Sequence, residues 1–459
     1  MYKINFETPI HVHFIGIGGI SMSGLAEILI KEGFTISGSD NKESALTQHL
    51  IEKGAKIYYG QKASNITDEI DAVVYTAAIH EDNEEFAEVV KRQIPMLSRA
   101  ELLGQLMTNY KVPIAVSGTH GKTTTTSMLS HILLEGEKDP TISVGGILQA
   151  IHGNIRVGDS DVFITEACEY TNSFLHFFPK ISVILNVEED HMDFFKDLDD
   201  IRNSFRKFAE LLPEDGTLVI NKEIDQYEDI IKDLKCNILT YGRNIDADYS
   251  AKNITYNEKG CASFDLYKND EKIDRIDLSV TGDHNVSNAL SAIAVGELVD
   301  IPLETIKKGL LAFTGTDRRF QYKGEVNGFT IIDDYAHHPT EIAATLNAVK
   351  HYPHKETWCI FQPHTYTRTK AFFHEFAEAL SLADHVMLVD IFPARETDTL
   401  GMSSELLVEE LKKCGADAYY LPSFEEAEKF ILEHCIHGDV LITMGAGDVV
   451  NIGESLLVH

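Results

Sequence analysis

Apolar residues in this chain fall into short runs, each closed by a glycine-rich or polar turn and followed by a stretch with helical spacing. His11-Val12-His13-Phe14-Ile15 leads into Gly16-Ile17-Gly18-Gly19-Ile20-Ser21-Met22-Ser23-Gly24, and a helix is predicted from Leu25 to Lys31. Strands follow at Phe34 to Ser37, ending near Asp40, and at Ala72 to Tyr75, closed by Thr76-Ala77-Ala78. A second unit opens with the strand Val112 to Ser117, turns through Gly118-Thr119-His120-Gly121-Lys122-Thr123-Thr124, and continues as a helix from Thr123 to about Leu134. The runs Val162 to Thr165 and Val183 to Asn186 are short and unbroken, as strands of a parallel sheet buried on both faces should be.

From about Asn237 to Val280 the texture changes to short alternating segments with polar turns such as Asn257-Glu258-Lys259-Gly260, which predicts an antiparallel β-rich appendage. A helix from Asn285 to Leu298 closes that unit. After about Thr316, strands Thr330 to Ile332, Thr357 to Phe361, His385 to Val389 and Asp439 to Thr443 alternate with helices Thr340 to Lys350 and Lys370 to Leu380. Such alternation marks parallel sheets covered by helices. At 459 residues the chain exceeds what one hydrophobic core organises. The expected fold is α/β in three domains: a Rossmann-like N-terminal domain (1–110), a central P-loop ATPase-type domain with the β-rich appendage (111–315), and a C-terminal Rossmann-like α/β domain (316–459).

Composition narrows the function classes. Hydrophobic residues make up 44% and charged residues 24%, with no apolar run near the roughly 18 residues a membrane span needs, so no membrane insertion is expected. The first residues, Met1 to Glu7, lack a basic stretch followed by an apolar one, and a cytoplasmic protein is expected. A formal charge of -32 argues against nucleic acid as a partner, because phosphate backbones are held by clustered Lys and Arg. The six cysteines form no C-x-x-C pair, which points to buried thiols rather than disulfides or zinc ligands.

Chemistry concentrates in the turns. In the Gly118 to Thr124 loop, glycines let backbone N–H groups wrap phosphate oxygens, Lys122 brings a cation to them, and Thr123 offers a hydroxyl to Mg²⁺. The rival is a Thr-rich helix start. Gly16-x-Gly18-x-x-Ser21 with Asp40 further on suits a dinucleotide, a nucleotide-sugar diphosphate or a tight turn alike. Glu166, Glu188, Asp190 and His191 follow strands of the central unit and should gather in the crevice of the Lys122 loop as Mg²⁺ ligand candidates, Glu166 foremost because Mg²⁺ prefers oxygen, with a solvated acidic loop as the rival chiefly for Glu188 and Glu189. His284 and Asn288 share a helix face, as a cap and a surface residue or as something more. The pair Arg318-Arg319, at the passage to the third unit, suits an arginine that reaches ATP on domain closure, with a hinge salt bridge as rival. Asp333-Asp334-Tyr335-Ala336-His337-His338-Pro339 and Phe361-Gln362-Pro363-His364-Thr365-Tyr366-Thr367-Arg368 both follow strands and should collect at one sheet edge.

In their order along the chain, G-I-G-G-x-x-M-S-G-L-A-E, G-T-H-G-K-T-T-T, E-A-C-E-Y, N-V-E-E-D-H-M-D, G-x-H-N-x-x-N, R-R-F, D-D-Y-A-H-H-P and P-H-x-Y-x-R-T resemble the cytoplasmic Mur ligases of peptidoglycan synthesis. The resemblance covers essentially the whole chain. It implies an ATP- and Mg²⁺-dependent, ADP-forming amide ligase that joins L-alanine to UDP-N-acetylmuramate through an acyl phosphate, as a monomer or weak homodimer. A related ligase that recycles murein tripeptide is the alternative. By the same resemblance Gly16, Gly18, Gly19, Ser21, Met22, Ser23 and Asp40 would hold the UDP-sugar. Gly118, Thr119, His120, Gly121, Lys122, Thr123 and Thr124 would hold the ATP phosphates, His284 and Asn288 would approach the adenine, Arg318 the γ-phosphate, and Asp334 the ribose or phosphates. Thr123, Glu166 and His191 would bind the metal. Tyr335, His338, His364 and Arg368 would line the substrate end, with His338 or His364 accepting the amine proton. Relatives commonly carry Arg where this chain has Thr365, which leaves that contact to Arg368.

Overall fold

In the computed structural model, which describes residues 2–76, 79–192, 194–394, 396–398 and 400–458, the strands assemble into three sheets. Ala77 and Ala78 of the turn after the Ala72 strand, and Asp193 of the N-V-E-E-D-H-M-D motif, lie outside the described residues. The first sheet holds β1 (His11–Ile15), β2 (Thr35–Asp40), β3 (Lys56–Tyr59), β4 (Ala72–Tyr75) and β5 (Met96–Ser98), all parallel, in the order β3-β2-β1-β4-β5. Strand order reverses between β1 and β4, so the glycine-rich turn after β1 opens beside the end of β4, the usual place for a ligand crevice. The helix after that turn begins earlier than its periodicity predicts, at Ile20 instead of Leu25, so Ser21, Met22 and Ser23 form its first turn. Gly24 sits inside this helix because a Cβ there would stand 2.5 Å from Ile155 Cδ1 of the central domain.

The second sheet has ten strands: β6 (Val112–Ser117), β7 (Thr141–Leu148), β8 (Gly153–Arg156), β9 (Val162–Ala167), β10 (Ile181–Ile184), β11 (Thr217–Asn221), β12 (Asn237–Arg243), β13 (Tyr249–Tyr256), β14 (Cys261–Lys268) and β15 (Glu271–Thr281). Their order is β15-β14-β13-β12-β11-β10-β6-β9-β7-β8. The β-rich segment is thus continuous with the central sheet. β12 pairs in parallel with β11 and β13, and the antiparallel pairs lie at the two ends of the sheet, β13 with β14 and β14 with β15 at one end and β7 with β8 at the other. β9 runs to Ala167, which puts Glu166 inside the strand, and β10 stops at Ile184, which leaves Leu185 and Asn186 in the loop.

The third sheet, β16 (Gln321–Val326), β17 (Phe329–Asp334), β18 (Thr357–Phe361), β19 (His385–Leu388), β20 (Asp417–Tyr420) and β21 (Val440–Met444), is ordered β16-β17-β21-β18-β19-β20 and is parallel except at the β16 edge. β16 and β17 are joined at Asn327-Gly328, whose φ values of 49° and 84° suit the tight hairpin turn that an Asn-Gly pair favours. The single helix expected over Lys370 to Leu380 is two, Tyr366–Ala371 and Phe373–Leu380, broken at Phe372. Among the cysteines, Cys261, Cys359 and Cys435 are buried thiols as expected, whereas Cys168 and Cys236 are half-buried and Cys414 is exposed.

The first two domains meet where the helix Arg99–Met107, capped by Ser98, lies against the turn Tyr170–His176. The approach is close enough that a Cβ on Gly104 would stand 1.9 Å from the His176 carbonyl oxygen. Gly104→Ala should therefore destabilise the protein by about 1–3 kcal/mol through overpacking. Gly153→Ala, whose nearest neighbour atom is 4.0 Å away, is the control. Equal urea-unfolding midpoints for the two variants would contradict this packing.

Candidate active site

The loop after β6 needs its glycines. Gly118 and Gly121 have φ of +147° and +84°, and a Cβ on either would lie 2.8 Å from an atom of Leu185 or Asn288. Asn186, just past β10, fastens the loop from both sides: its Oδ1 accepts from the His120 N–H at 2.7 Å, and its Nδ2 donates to the His120 carbonyl at 3.1 Å. Lys122 opens the helix Lys122–Glu135, and its ammonium is folded back onto the carbonyls of Gly118 and Thr119 and onto Glu169, 3.0 Å away. Burial opposes the charge on Lys122, but the Glu169 carboxylate outweighs it and holds the ammonium above its ordinary pKa. The sequence motif contained Glu169 without assigning it a part.

Glu166 lies beside the same loop. Its Oε2 accepts from the Thr123 hydroxyl at 3.1 Å and its Oε1 from the Gly145 N–H at 2.5 Å. A Cβ on Gly145 would come within 2.9 Å of Glu166 Oε2, so the strand leaves room for this carboxylate and little else. Burial pushes its pKa up, the mark of a carboxylate lacking a full counter-charge. Oxygen donors from Thr123 and Glu166 at the edge of a phosphate loop fit a hard divalent cation such as Mg²⁺. His191 stands on the far side of Glu169, its Nε2 3.9 Å from Glu169 Oε1 and its ring stacked on Tyr170 at 4.5 Å. Its φ of +54° is uncommon for a residue with a side chain.

A cavity of about 220 Å³ opens between the central and C-terminal domains. His120, Gly121, Thr124, Asn186 and Glu188 line it from the loop side, His284, Asn285 and Asn288 from the helix Asp283–Leu298, and Arg319, Asp334, Thr340 and Glu341 from the third domain. Burial lowers the His284 pKa to about 4, so its ring is neutral, and raises that of Asp334 to about 6. The two arginines at the domain junction divide. Arg318, with φ of +62°, spends its fork inside the third domain, on Asp333 at 3.0 Å and the carbonyls of Gly447 and Gly445 at 3.0 and 2.7 Å, while Arg319 faces the cavity. Both guanidinium groups lie over the Tyr335 ring, at 4.9 and 5.2 Å.

A second pocket, of about 520 Å³, lies between Tyr170, Asp190, His191 and Met192 of the central domain and His364, Thr365, Thr367, Arg368, Phe372 and Glu396 of the third. Arg368 crosses the seam to Asp190 at 3.1 Å and donates to His364 Nδ1 at 3.3 Å. Burial opposes the Asp190 charge, but Arg368 outweighs it and keeps the carboxyl below its usual range. Tyr335 and His338 do not line this pocket. His338 caps the helix Pro339–Val349 instead, its Nδ1 accepting from the Thr340 N–H at 3.3 Å, which puts the ring hydrogen on the buried Nε2. A ring nitrogen of His338 lies within 4.8 Å of ligand atoms of His120 and Glu188, which are themselves paired at 3.6 Å.

The third pocket, also about 520 Å³, follows the switch between β1 and β4 and is lined by Gly16, Gly19, Met22, Asp40, Asn41, Gln61, Thr76 and His80 among others. Gly18 donates its N–H to Asp40 Oδ2 at 2.8 Å, and a Cβ on Gly18 would sit 2.7 Å from the same oxygen. Ser21 accepts from Arg99 at 3.0 Å, and Ser23 is buried against the Ile20 carbonyl, so neither lines the pocket. Glu169, Asn186, Arg319 and Glu341 are the site residues that sequence reading left unassigned; each lies within three residues of a quoted motif.

Family models match three consecutive stretches of the chain: "Mur ligase family, catalytic domain" at 11–111, "Mur ligase middle domain" at 116–296, and "Mur ligase, glutamate ligase domain" at 318–447. A UDP-N-acetylmuramate--L-alanine ligase of Agathobacter rectalis is 62% identical over 457 residues, covering 100% of both chains. One of Lachnoclostridium phytofermentans is 58% identical over 467 residues with the same coverage. Among solved structures, the UDP-N-acetylmuramate-alanine ligase of Thermotoga maritima superposes with a TM-score of 0.82 at 29% identity, over 98% of each chain. A murein peptide ligase of Psychrobacter arcticus gives 0.71 at 27% identity, again over 98% of each.

His120 offers a pH test. Burial disfavours its imidazolium, but Glu341 and Glu188 outweigh burial and push its pKa up to about 10, from 6.5. A histidine whose folded pKa is raised stabilises the fold fully below its unfolded value and loses that contribution as pH rises through the folded one. The stability gap between the parent and His120→Gln should therefore be widest below pH 6.5 and close as pH approaches 10. A gap that does not change with pH in denaturant titrations would contradict the pairing.

Proposed function

The chain belongs to the Mur ligase family, and we propose that it joins L-alanine to UDP-N-acetylmuramate in peptidoglycan synthesis, consuming ATP and forming ADP. The observation that carries this reading is the cavity in which the Gly118 to Thr124 loop faces His284, Asn288, Arg319 and Asp334. A separate glycine-rich pocket at Gly16 and Gly19 suits a nucleotide-sugar diphosphate. The full-length likeness to UDP-N-acetylmuramate--L-alanine ligases supports the substrates. We place ATP in the 220 Å³ cavity, with its phosphates at the loop.

Thr123, Glu166 and His191 would hold Mg²⁺, which when bound neutralises charge between phosphate oxygens. In the first step a muramyl carboxylate oxygen attacks the γ-phosphorus, the bond to the β-phosphate oxygen breaks, and ADP leaves behind an acyl phosphate. Lys122, released from Glu169 by the incoming phosphates, and Arg319 offset charge on the transferring group, while Arg318 holds the junction from which Arg319 projects. The L-alanine amine then attacks the acyl carbon from the pocket of Arg368 and His364, a C–N bond forms, and the C–O bond to phosphate breaks. Arg368 would meet the substrate carboxylate, and His364, which lines the same pocket, is the group that would take the ammonium proton. One copy of the chain supplies all these groups, as a monomer or within a weak homodimer, and we propose that it works in the cytoplasm.

Phosphate release should require ATP, UDP-N-acetylmuramate and L-alanine together. Stimulation by murein tripeptide and not by L-alanine would favour the recycling ligase, and tight NAD(P)H binding without UDP-sugar binding would overturn the ligase reading. Lys122→Ala should lower turnover by at least about a thousandfold, as loss of a main phosphate-stabilising group does. Its affinity for UDP-N-acetylmuramate, measured by calorimetry, should stay within about twofold, because independent distant sites do not couple. Unchanged turnover would contradict the loop's part.

A further inference from the structure

Glu341 lines the cavity assigned above to ATP, but its carboxylate contacts run to protein groups on both sides of the domain seam. It is the third residue of the helix Pro339–Val349, and its carboxylate reaches across the seam to the phosphate loop, with Oε1 3.1 Å from His120 Nδ1. From its own domain it meets Arg319 at 3.8 Å, and its Oε2 accepts from the His337 N–H at 3.1 Å. The side chain is only 13% exposed. Withdrawing a carboxylate from water is costly unless several partners compensate, and here the partners come from two domains. His120 is in turn clasped through its backbone by Asn186, so the ring that meets Glu341 springs from a fixed point of the loop.

We propose that Glu341 is a positioning residue for phosphoryl transfer: through His120 it ties the phosphate loop to the C-terminal domain, and through Arg319 it aims a cation into the same cavity. Loop and arginine then reach their working places together, and only with the two domains in contact. Both carboxylate oxygens meet protein groups, Oε1 those of His120 and Arg319 and Oε2 that of His337. The inference rests on the reading of the cavity as the ATP site but not on which amino acid is joined.

The test compares Glu341→Gln, Glu341→Asp, His120→Gln and the double variant Glu341→Gln with His120→Gln. Each single Gln variant should lower kcat by at least about tenfold, as misplacement by a fraction of an ångström does, while leaving KM for UDP-N-acetylmuramate unchanged. The double variant should be no slower than the worse single one, because both break one link. Glu341→Asp should recover part of the rate. Two losses that multiply in the double variant, or a kcat equal to the parent's, would overturn the proposal. Small-angle scattering gives a second readout that needs no turnover. With a non-hydrolysable ATP analogue the parent should become more compact and both Gln variants should respond less; equal compaction in all three would overturn the coupling. If Glu341→Gln fails to fold, His120→Gln alone decides by the same two measurements. A parent that compacts with the analogue yet releases no phosphate with L-alanine would refute the assigned reaction and leave the coupling standing.

Discussion

Strand β6 lies between β9 and β10, and the rest of the site hangs on that pairing. The register sets Val116 opposite Glu166 and Ser117 opposite Ile184, so the loop leaving β6 emerges between a carboxylate on one flank and the Leu185-Asn186 turn on the other. Buried parallel strands can slip only by moving whole rows of apolar side chains, and Ile114, Val116, Ile164 and Val183 are all fully buried. A rigid floor of this kind holds glycines at positive φ, a lysine and a carboxylate within reach of one another, which surface loops alone would not do.

Around this floor, charge is balanced across domain boundaries. Glu169 holds Lys122, Glu341 holds His120 and Arg319, and Asp190 holds Arg368. Each pair joins a half-buried cation to a carboxylate that alone would be costly to withdraw from water. Two of the three carboxylates belong to a different domain from at least one of their cations. Domain contact and site assembly are therefore one event energetically, and anionic substrates entering the cavities meet cations already held near them, where fixed charges cost no reorganisation.

Much of this was legible in the sequence because buried parallel strands write themselves as short apolar runs, and phosphate loops demand glycine and lysine at set places. The strand Thr357–Phe361 and the loop before Lys122 needed no tertiary information. What escaped depended on long-range pairing. Nothing local distinguishes Arg318 from Arg319; the carbonyls of Gly445 and Gly447, more than a hundred residues away, claim the first and leave the second to the cavity. Glu341 reads locally as an ordinary acidic residue in a helix's first turn, and its partner His120 lies in another domain. The segment 237–280 alternates like a free-standing β unit, and its attachment through β12 to β11 shows only in the sheet.

In the proposed cycle a phosphate loop, a nucleotide-sugar pocket and an amine pocket act together to form one amide, and the central step is activation of the carboxylate as an acyl phosphate. UDP-N-acetylmuramate carrying oxygen-18 in its carboxylate tests this most directly. Mass spectrometry of the phosphate released in the presence of ATP and L-alanine should find one labelled oxygen in each phosphate, carried over when the acyl–oxygen bond breaks. Amide formation with unlabelled phosphate would contradict the claim.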